Sequence, residues 1–228
     1  GGVIVGSALF AAASAQQIGI VTTTAGKAGF ITGLYVVLVP LAALIWGERA
    51  SWTTWLGATL AAVGLYFLSV TEALTLSVGD AWVLLSAVFW TAQIHLIARL
   101  TRVIDPLPLA AAQFAVCSLL SWVAALATET ITWAGIGGAL WPLAFSSFGS
   151  VGTAFTLQVV AQRHAHPTSA AIIMSLEAAF AALGGWLFLG ERLGTRGTFG
   201  AALMMTGMML AQVRFPQRVV QRRPTDAT

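Results

Sequence analysis

Long runs of apolar residues, separated by short polar connectors, occupy most of the chain. Eight of these runs approach or exceed about 20 residues, the length that a helix needs to cross a bilayer. They cover residues 2–22, 26–46, 52–71, 81–98, 106–127, 138–161, 168–190 and 196–214. The runs do not alternate polar and apolar positions as barrel strands do, so they predict helices, which satisfy their own backbone groups in lipid. The fold class that we predict is an all-α polytopic membrane protein.

Composition supports this class and excludes several others. Of the 228 residues, 58% are hydrophobic and 8% are charged, whereas soluble domains carry about 25% charged residues. The net charge is only +3, which argues against a soluble enzyme, a disordered chain and a nucleic-acid binder. The single cysteine, Cys117, excludes an intrachain disulfide. No catalytic or metal-binding motif is present, so we expect no enzyme activity, no cofactor and no metal.

The distribution of Lys and Arg predicts the orientation, because cytoplasmic loops are enriched in these residues. With the C-terminus in the cytoplasm, eight basic residues lie inside and three outside; the inside set is Arg49, Arg99, Arg102, Arg163, Arg214, Arg218, Arg222 and Arg223, and the outside set is Lys27, Arg192 and Arg196. The reverse orientation would invert this ratio. We therefore predict a multi-pass protein of the plasma membrane with a cytoplasmic C-terminus.

A sequence repeat relates two parts of the chain at an offset of 143 positions. Gly-Glu-Arg occurs at 47–49 and again at 190–192, and 8 of 24 positions are identical between 47–70 and 190–213. The two motifs are five runs apart, an odd number, so the copies have opposite orientations, as in many secondary transporters. The predicted domains are the last three helices of a first repeat (1–71), an external linker (72–80), a five-helix second repeat (81–214) and a basic cytoplasmic tail (215–228).

The first repeat has no counterparts of the runs at 81–98 and 106–127. We therefore expect two further apolar helices before Gly1, which would complete a ten-helix, 5+5 architecture of which eight helices are present here. We also expect the helices at 2–22 and 26–46 to expose a face that lacks the neighbours of their repeat mates.

Three motifs, in this order and spacing, resemble the EamA type of the drug/metabolite transporter superfamily. They are Thr24–Val37 followed by Pro40, Gly79-Asp80 followed by Ser86–Trp90, and Ser175-Leu176-Glu177 running on to Gly190-Glu191-Arg192. One departure is Ala178, where the family often has proline. The resemblance implies two five-helix halves and a bacterial inner-membrane carrier, often an exporter, of small metabolites, amino acids or drugs.

Polar residues inside apolar runs are the candidates for the site, because buried polar groups in lipid are costly and usually functional. Glu177 is the one acidic residue near the centre of a run. It is either a coupling or substrate-binding carboxylate or a structural group bonded to a neighbouring helix. Pro40 predicts a kink with a freed carbonyl. The full candidate set for substrate or coupling is Glu177, His95, Trp90, Gln93, Gln16, Gln158, Tyr35 and Pro40.

These features favour a secondary transporter that works by alternating access around a central site. The carboxylate of Glu177 suggests that such a transporter couples the movement of its substrate to protons. An uncoupled facilitator, a non-transporting membrane scaffold and an inactive fragment remain as alternatives. The expected partners are a small-molecule substrate and the lipid bilayer, with a homodimer as a further assembly and no nucleic acid.

Overall fold

All regular elements in the described part of the chain are helices. The computed structural model describes residues 1–23, 25–45, 47–48, 50–69, 77–189 and 194–212. The helices are α1 (Gly2–Ile20), α2 (Ala25–Gly33), α3 (Tyr35–Ile45), α4 (Trp52–Ser69), α5 (Val78–Leu100), α6 (Pro106–Thr128), α7 (Trp133–Gly138), α8 (Leu140–Ala144), a π-helix (Phe145–Phe155), α9 (Thr156–Gln162), α10 (Pro167–Met174), α11 (Glu177–Leu189) and α12 (Thr195–Gln212). The second Gly-Glu-Arg motif, the predicted tail 215–228 and most of the predicted linker 72–80 lie outside these residues.

Five helical stretches in the described residues are long and apolar enough to cross a membrane: Gly2–Ile20, Lys27–Ile45, Val78–Leu100, Pro106–Thr128 and Leu140–Gln162. Two shorter apolar helices are Trp52–Leu68 and Pro167–Phe180. These features identify a helical membrane protein and confirm the predicted class. The count of eight spans stays a prediction.

Local chemistry accounts for several helix ends. Pro106 and Pro167 lie in the first turns of α6 and α10, as their missing N–H groups predict. Helix α5 begins with a capping box, in which Ser77 accepts from the backbone N–H of Asp80 while Asp80 accepts from that of Ser77. The hydroxyl of Thr23 also donates to Asp80, so this buried carboxylate ties the end of α1 to the start of α5.

Gly47 ends α3 in a conformation that favours glycine. Its φ is 74°, and the N–H of Glu48 donates to the carbonyl of Ala43 at 3.1 Å while that of Gly47 donates to Leu44 at 3.0 Å. This is the Schellman pattern, whose left-handed residue is usually glycine. The glycine of the first Gly-Glu-Arg motif therefore ends helix α3.

Helices α4 and α12 pack against each other through two reciprocal pairs of glycines. A Cβ placed on Gly57 would lie 2.5 Å from the carbonyl oxygen of Gly207, and one on Gly64 would lie 2.5 Å from that of Gly200. Gly57 and Gly200 are repeat mates at the offset of 143, as are Gly64 and Gly207. If each glycine is replaced by its repeat mate, the contact between Gly57 and Gly207 becomes the contact between Gly200 and Gly64. A twofold axis between the two helices produces this pattern.

The helices at 2–22 and 26–46 do expose apolar side chains, among them Val3, Ile4, Leu41 and Leu44, but the expected larger number of neighbours around their repeat mates is not seen. In their most apolar 18-residue windows, 33% of Gly2–Ile20 and 39% of Lys27–Ile45 is buried, against 6% of Leu140–Gln162. The reason is that α1 packs on α5 and α6, which belong to the second predicted repeat. Leu140–Gln162 is the least buried of the five long helical stretches in the described chain.

Polar contacts group the connecting segments at one end of the helices. Glu48 pairs with His166 at 3.3 Å, and Arg163 pairs with Asp105 at 3.4 Å. The predicted topology places all four residues on one side of the membrane, and these contacts meet that requirement. Which side is the cytoplasm stays a prediction.

Candidate functional site

A cavity of about 490 Å³ lies between α1, the α2–α3 stretch, α5, the π-helix, α9 and the α10–α11 stretch. Five of the eight candidate residues line it. Its lining comprises Gln16, Thr32, Tyr35, Trp90, Ile94, Ser150, Ala154, Phe155, Gln158, Met174 and Glu177. The size falls within the range of small-molecule pockets, about 300–1,000 Å³.

Two helical stretches contain an irregular turn where they border the cavity, in which the N–H of Val37 donates to Leu34 and that of Ala178 to Ser175, three positions earlier. We refer to these turns as breaks, although helical hydrogen bonds continue on both sides of them. Leu34 separates α2 from α3, and Ser175-Leu176 separates α10 from α11. The residues next to the breaks, Tyr35 and Glu177, line the cavity. Position 34 plus the repeat offset of 143 is 177, so the breaks lie at nearly corresponding positions of the two copies. Interrupted helices in corresponding positions are the feature that most directly marks the binding site of an inverted-repeat transporter.

Gln16 organises one wall of the cavity with both ends of its amide. Its Oε1 accepts a hydrogen bond from the indole Nε1 of Trp90 at 3.2 Å, and its Nε2 donates to the hydroxyl of Thr32 at 3.4 Å. The indole of Trp90 stacks on Phe155 at 5.7 Å between ring centres, with 27° between the planes. The orientation of the Trp90 ring is therefore fixed from two sides.

Gln158, which also lines the cavity, has an amide donor without a partner in the described part of the chain. Its Nε2 is buried and donates to no acceptor in the described part of the chain. Buried polar atoms are nearly always hydrogen-bonded, so an unpaired amide donor beside a cavity is a natural contact for a bound molecule.

Glu177 is the acidic member of the cavity lining, which contains no Lys, Arg or His. It begins α11 directly after the break, its side chain is exposed, and none of the described basic residues pairs with it. A carboxylate in a mostly apolar cavity can accept a proton or bind a cationic group. Both reactions fit the requirement that an intramembrane charge be neutralised.

Three candidate residues lie outside the cavity lining. Gln93 is fully buried and donates to Gln113 on α6 at 3.4 Å, and His95 is buried and donates from Nε2 to the carbonyl of Val39 at 3.0 Å. Pro40 lies inside α3 and leaves the carbonyl of Val36 without its usual donor. Val36 is itself fully buried. The side chains of Gln93 and His95 join α5 to α6 and to α3, so they hold helices together outside the cavity.

The cavity also includes residues that the sequence reading did not select. Ser150, Ala154 and Phe155 come from the π-helix, Thr32 from α2 and Met174 from α10. Thr32 lies three positions before Tyr35, so a careful reading of the break at Leu34 could have found it. Nothing in the apolar run around Phe155 signals a π-helix.

The fold and the cavity define a class, a helical membrane protein with a cavity of small-molecule size between its helices. The defining pattern of the EamA-like transporter family matches residues 77–212. An uncharacterized transporter from Archaeoglobus fulgidus is 34% identical over 212 residues, which cover 92% of this chain and 68% of that protein. A protein of known crystal structure superposes with a TM-score of 0.79 at 19% identity, over 92% of this chain and 75% of that one. The chain therefore belongs to the EamA-like transporter family, a family of transporters and not of enzymes.

Proposed function

We propose that this protein is a secondary transporter that carries a small organic molecule through the cavity at Glu177 by alternating access. The observation that carries the proposal is the pair of helix breaks, at Leu34 and at Ser175-Leu176, that border the same cavity. Irregular turns in membrane helices are tolerated where they line a cavity, and they place polar backbone groups beside a substrate without exposing them to lipid.

We propose a two-half, inverted-repeat architecture as the basis of the movement. The reciprocal glycine contacts of α4 and α12 support it, since each half contributes the same surface. The cavity supports it as well, because Gln16 and Gln158 come from helices that the repeat relates with a shift of one residue. In a ten-helix version of this architecture, rocking of one half against the other opens the site to each side in turn.

We propose that Glu177 is the coupling carboxylate and that protons drive the cycle in the direction of export. A carboxylate that faces a cavity can load a proton from one side and release it to the other as access changes. Glu177 is the one carboxylate among the cavity-lining residues, and the other ionisable group there is the much weaker acid Tyr35.

A pH jump on proteoliposomes tests this role without knowledge of the substrate. The full chain is adsorbed to a solid-supported membrane, and the transient current that follows the jump reports proton binding. We expect Glu177→Gln, which keeps the shape of the side chain and removes its titration, to abolish the current. Glu129→Gln is the matched control, because Glu129 is an exposed carboxylate at the end of α6, away from the cavity.

Two outcomes decide between the proposal and its alternatives. A current that persists in Glu177→Gln at the size of the wild type makes the carboxylate structural and favours an uncoupled facilitator. A thermal-shift panel of amino acids, amines and drug-like molecules then supplies a ligand for flux measurements, because a ligand that binds only the folded state raises its melting temperature. Ligand binding without any flux into sealed vesicles would instead support the non-transporting alternative.

A further inference from the structure

A second cavity, also of about 490 Å³, adjoins the one at Glu177. It lies between α1, α5, α6 and the π-helix, and the function proposed above does not use it. Its lining comprises Leu9, Ala13, Gln16, Gln17, Ile20, Trp90, Phe114, Cys117, Ser118, Ser121, Ser146, Ser150, Val151 and Phe155. We refer to it as the serine chamber.

The wall between the two cavities consists of side chains. Gln16, Trp90, Ser150 and Phe155 line both spaces. The stack of Trp90 on Phe155 and the hydrogen bond from Trp90 to Gln16 hold this wall together. A rotation of the Trp90 side chain would connect the cavities without any change of the backbone.

The chemistry of the serine chamber differs from that of the cavity at Glu177. Its lining contains no charged residue, and its polar groups are hydroxyls, the Cys117 thiol and the amides of Gln16 and Gln17. Ser118 and Ser146 are exposed and have no hydrogen-bond partner among the described residues. By contrast, Thr91 and Thr101 on the neighbouring α5 bond back to carbonyls one turn earlier. Hydroxyls that do not bond back to their own helix are available to a ligand.

We propose that the serine chamber is a second subsite of the transport path, which binds the uncharged, hydrogen-bonding part of a substrate that has an aromatic or aliphatic frame. This inference rests on the proposed transport function. Trp90 acts as the divider between this subsite and Glu177. Apolar walls with a few neutral polar groups are the usual lining of sites for uncharged organic molecules.

The chain contains its own reporter for this subsite, because Cys117 is its one cysteine and lines the serine chamber. The full chain is reconstituted into vesicles, and the alkylation rate of Cys117 by N-ethylmaleimide is followed by intact mass. The probes are N-acetylphenylalaninamide, N-acetyltryptophanamide and phenyl glucoside, with toluenesulfonate as a charged aromatic of similar size. At a concentration about ten times its dissociation constant, a probe leaves about one site in ten unoccupied. If the bound probe excludes the reagent, the alkylation rate therefore falls about tenfold.

We expect at least one uncharged probe to protect Cys117 and toluenesulfonate to give no protection. The double variant Ser118→Ala/Ser146→Ala should lose the protection. Thr128→Ala should keep it, because the Thr128 hydroxyl lies on the same helix α6, outside both cavities, and bonds to the carbonyl of Ala124. Protection by none of the uncharged probes, or equal protection by toluenesulfonate, overturns the proposal.

A second measurement tests the divider. The membrane-impermeant anion 2-sulfonatoethyl methanethiosulfonate can reach Cys117 only through water, so Trp90→Ala should accelerate its reaction and Trp90→Phe should do so much less. An unchanged rate in Trp90→Ala shows that the chambers are separate and overturns the inference. These readouts are independent of the pH-jump current, so lost protection with an intact current refutes the second subsite alone. Intact protection without a current refutes proton coupling alone.

Discussion

Helix α1 and the stretch 145–163 lie at the repeat offset of 143, yet their structures differ. Helix α1 is a regular α-helix that packs on α5 and α6. The counterpart contains the π-helix Phe145–Phe155, and no residue of that π-helix is buried. Their glycines show the same contrast, since Gly6 is crowded by α6, whereas its mate Gly149 meets only the Phe145 ring of its own helix, at 3.8 Å.

The difference in geometry goes with the difference in packing. Both stretches are rich in small and apolar residues, and the regular α-helix is the one that packs against neighbouring helices. Thr153 illustrates the wider turn, because its hydroxyl donates to the carbonyl of Phe148, five positions earlier. The π-helix also brings Ser150 and Phe155 to both cavities, and π-turns are frequent at functional sites.

The largest effect should come from the helix pair in which both repeat mates are crowded. Gly64→Val on α4 and Gly207→Val on α12 each force a branched side chain against a backbone carbonyl at 2.5–2.6 Å. We expect each to cost at least about 1–3 kcal/mol, the usual range for overpacking, and to lower the yield of folded protein. Unfolding in SDS, followed by circular dichroism, measures this. Gly184→Val is the control, because a Cβ there meets no atom of the described residues within 4 Å.

Alanine substitutions at the repeat mates Gly6 and Gly149 should change stability by smaller amounts and in opposite directions. A Cβ on Gly6 would lie 2.6 Å from the Cβ of Val116 and 2.7 Å from the carbonyl oxygen of Gln113, so Gly6→Ala should destabilise by about 1–3 kcal/mol. Gly149→Ala has room and should stabilise by up to about 1 kcal/mol, because alanine is the better helix former. Equal destabilisation by both substitutions would show that a partner or another segment covers the exposed stretch in the membrane.

The sequence predicted the fold class and the composition of one cavity better than it predicted packing. Apolar runs and proline positions located the helices, because lipid imposes length and hydropathy on a crossing segment. Sequence alone does not give the rotation of each helix about its axis. Trp90 and Ile94, one turn apart on α5, face the cavity, while Gln93 and His95 on either side of Ile94 point to α6 and α3.

The helix breaks and the π-helix were harder to predict than the helix rotations. The sequence predicts one helix over the run 26–46 with a kink at Pro40. In the structure, the break between α2 and α3 lies at Leu34 instead. Leucine is a strong helix former, but Gly33 directly before it weakens a helix and is the local signal for that break. The cavity that it borders and its counterpart at Ser175-Leu176 show why an irregular turn falls there.

An intermediate effect should distinguish the polar anchors of the packed and the exposed regions. Asp80 is 3% exposed and accepts hydrogen bonds from Thr23 and from the backbone of Ser77. Asp80→Ala should therefore cost about 1–3 kcal/mol, since it leaves partly buried donors unpaired. Thr132→Ala removes the N-cap of the exposed helix α7, and we expect a loss of about 0.5–1 kcal/mol, the lower part of the range for N-caps. Thermal unfolding in one detergent compares them, and a larger loss in Thr132→Ala would contradict the contrast.

The smallest effect should come from the ion pair that follows the exposed stretch. Arg163, just after α9, lies 3.4 Å from Asp105 at the start of α6, and the two side chains are 44% and 77% exposed. Exposed pairs contribute about 0–1 kcal/mol and are screened by salt, so Arg163→Ala should change the free energy of unfolding by less than about 1 kcal/mol at low salt. The change should disappear in molar sodium chloride. Asp105→Asn is the matched variant, because it removes the charge and keeps the shape of the side chain. A loss above that range, persisting in high salt, would mean that this contact positions the whole stretch Leu140–Gln162, and the cavity wall that its π-helix provides would then depend on one surface pair.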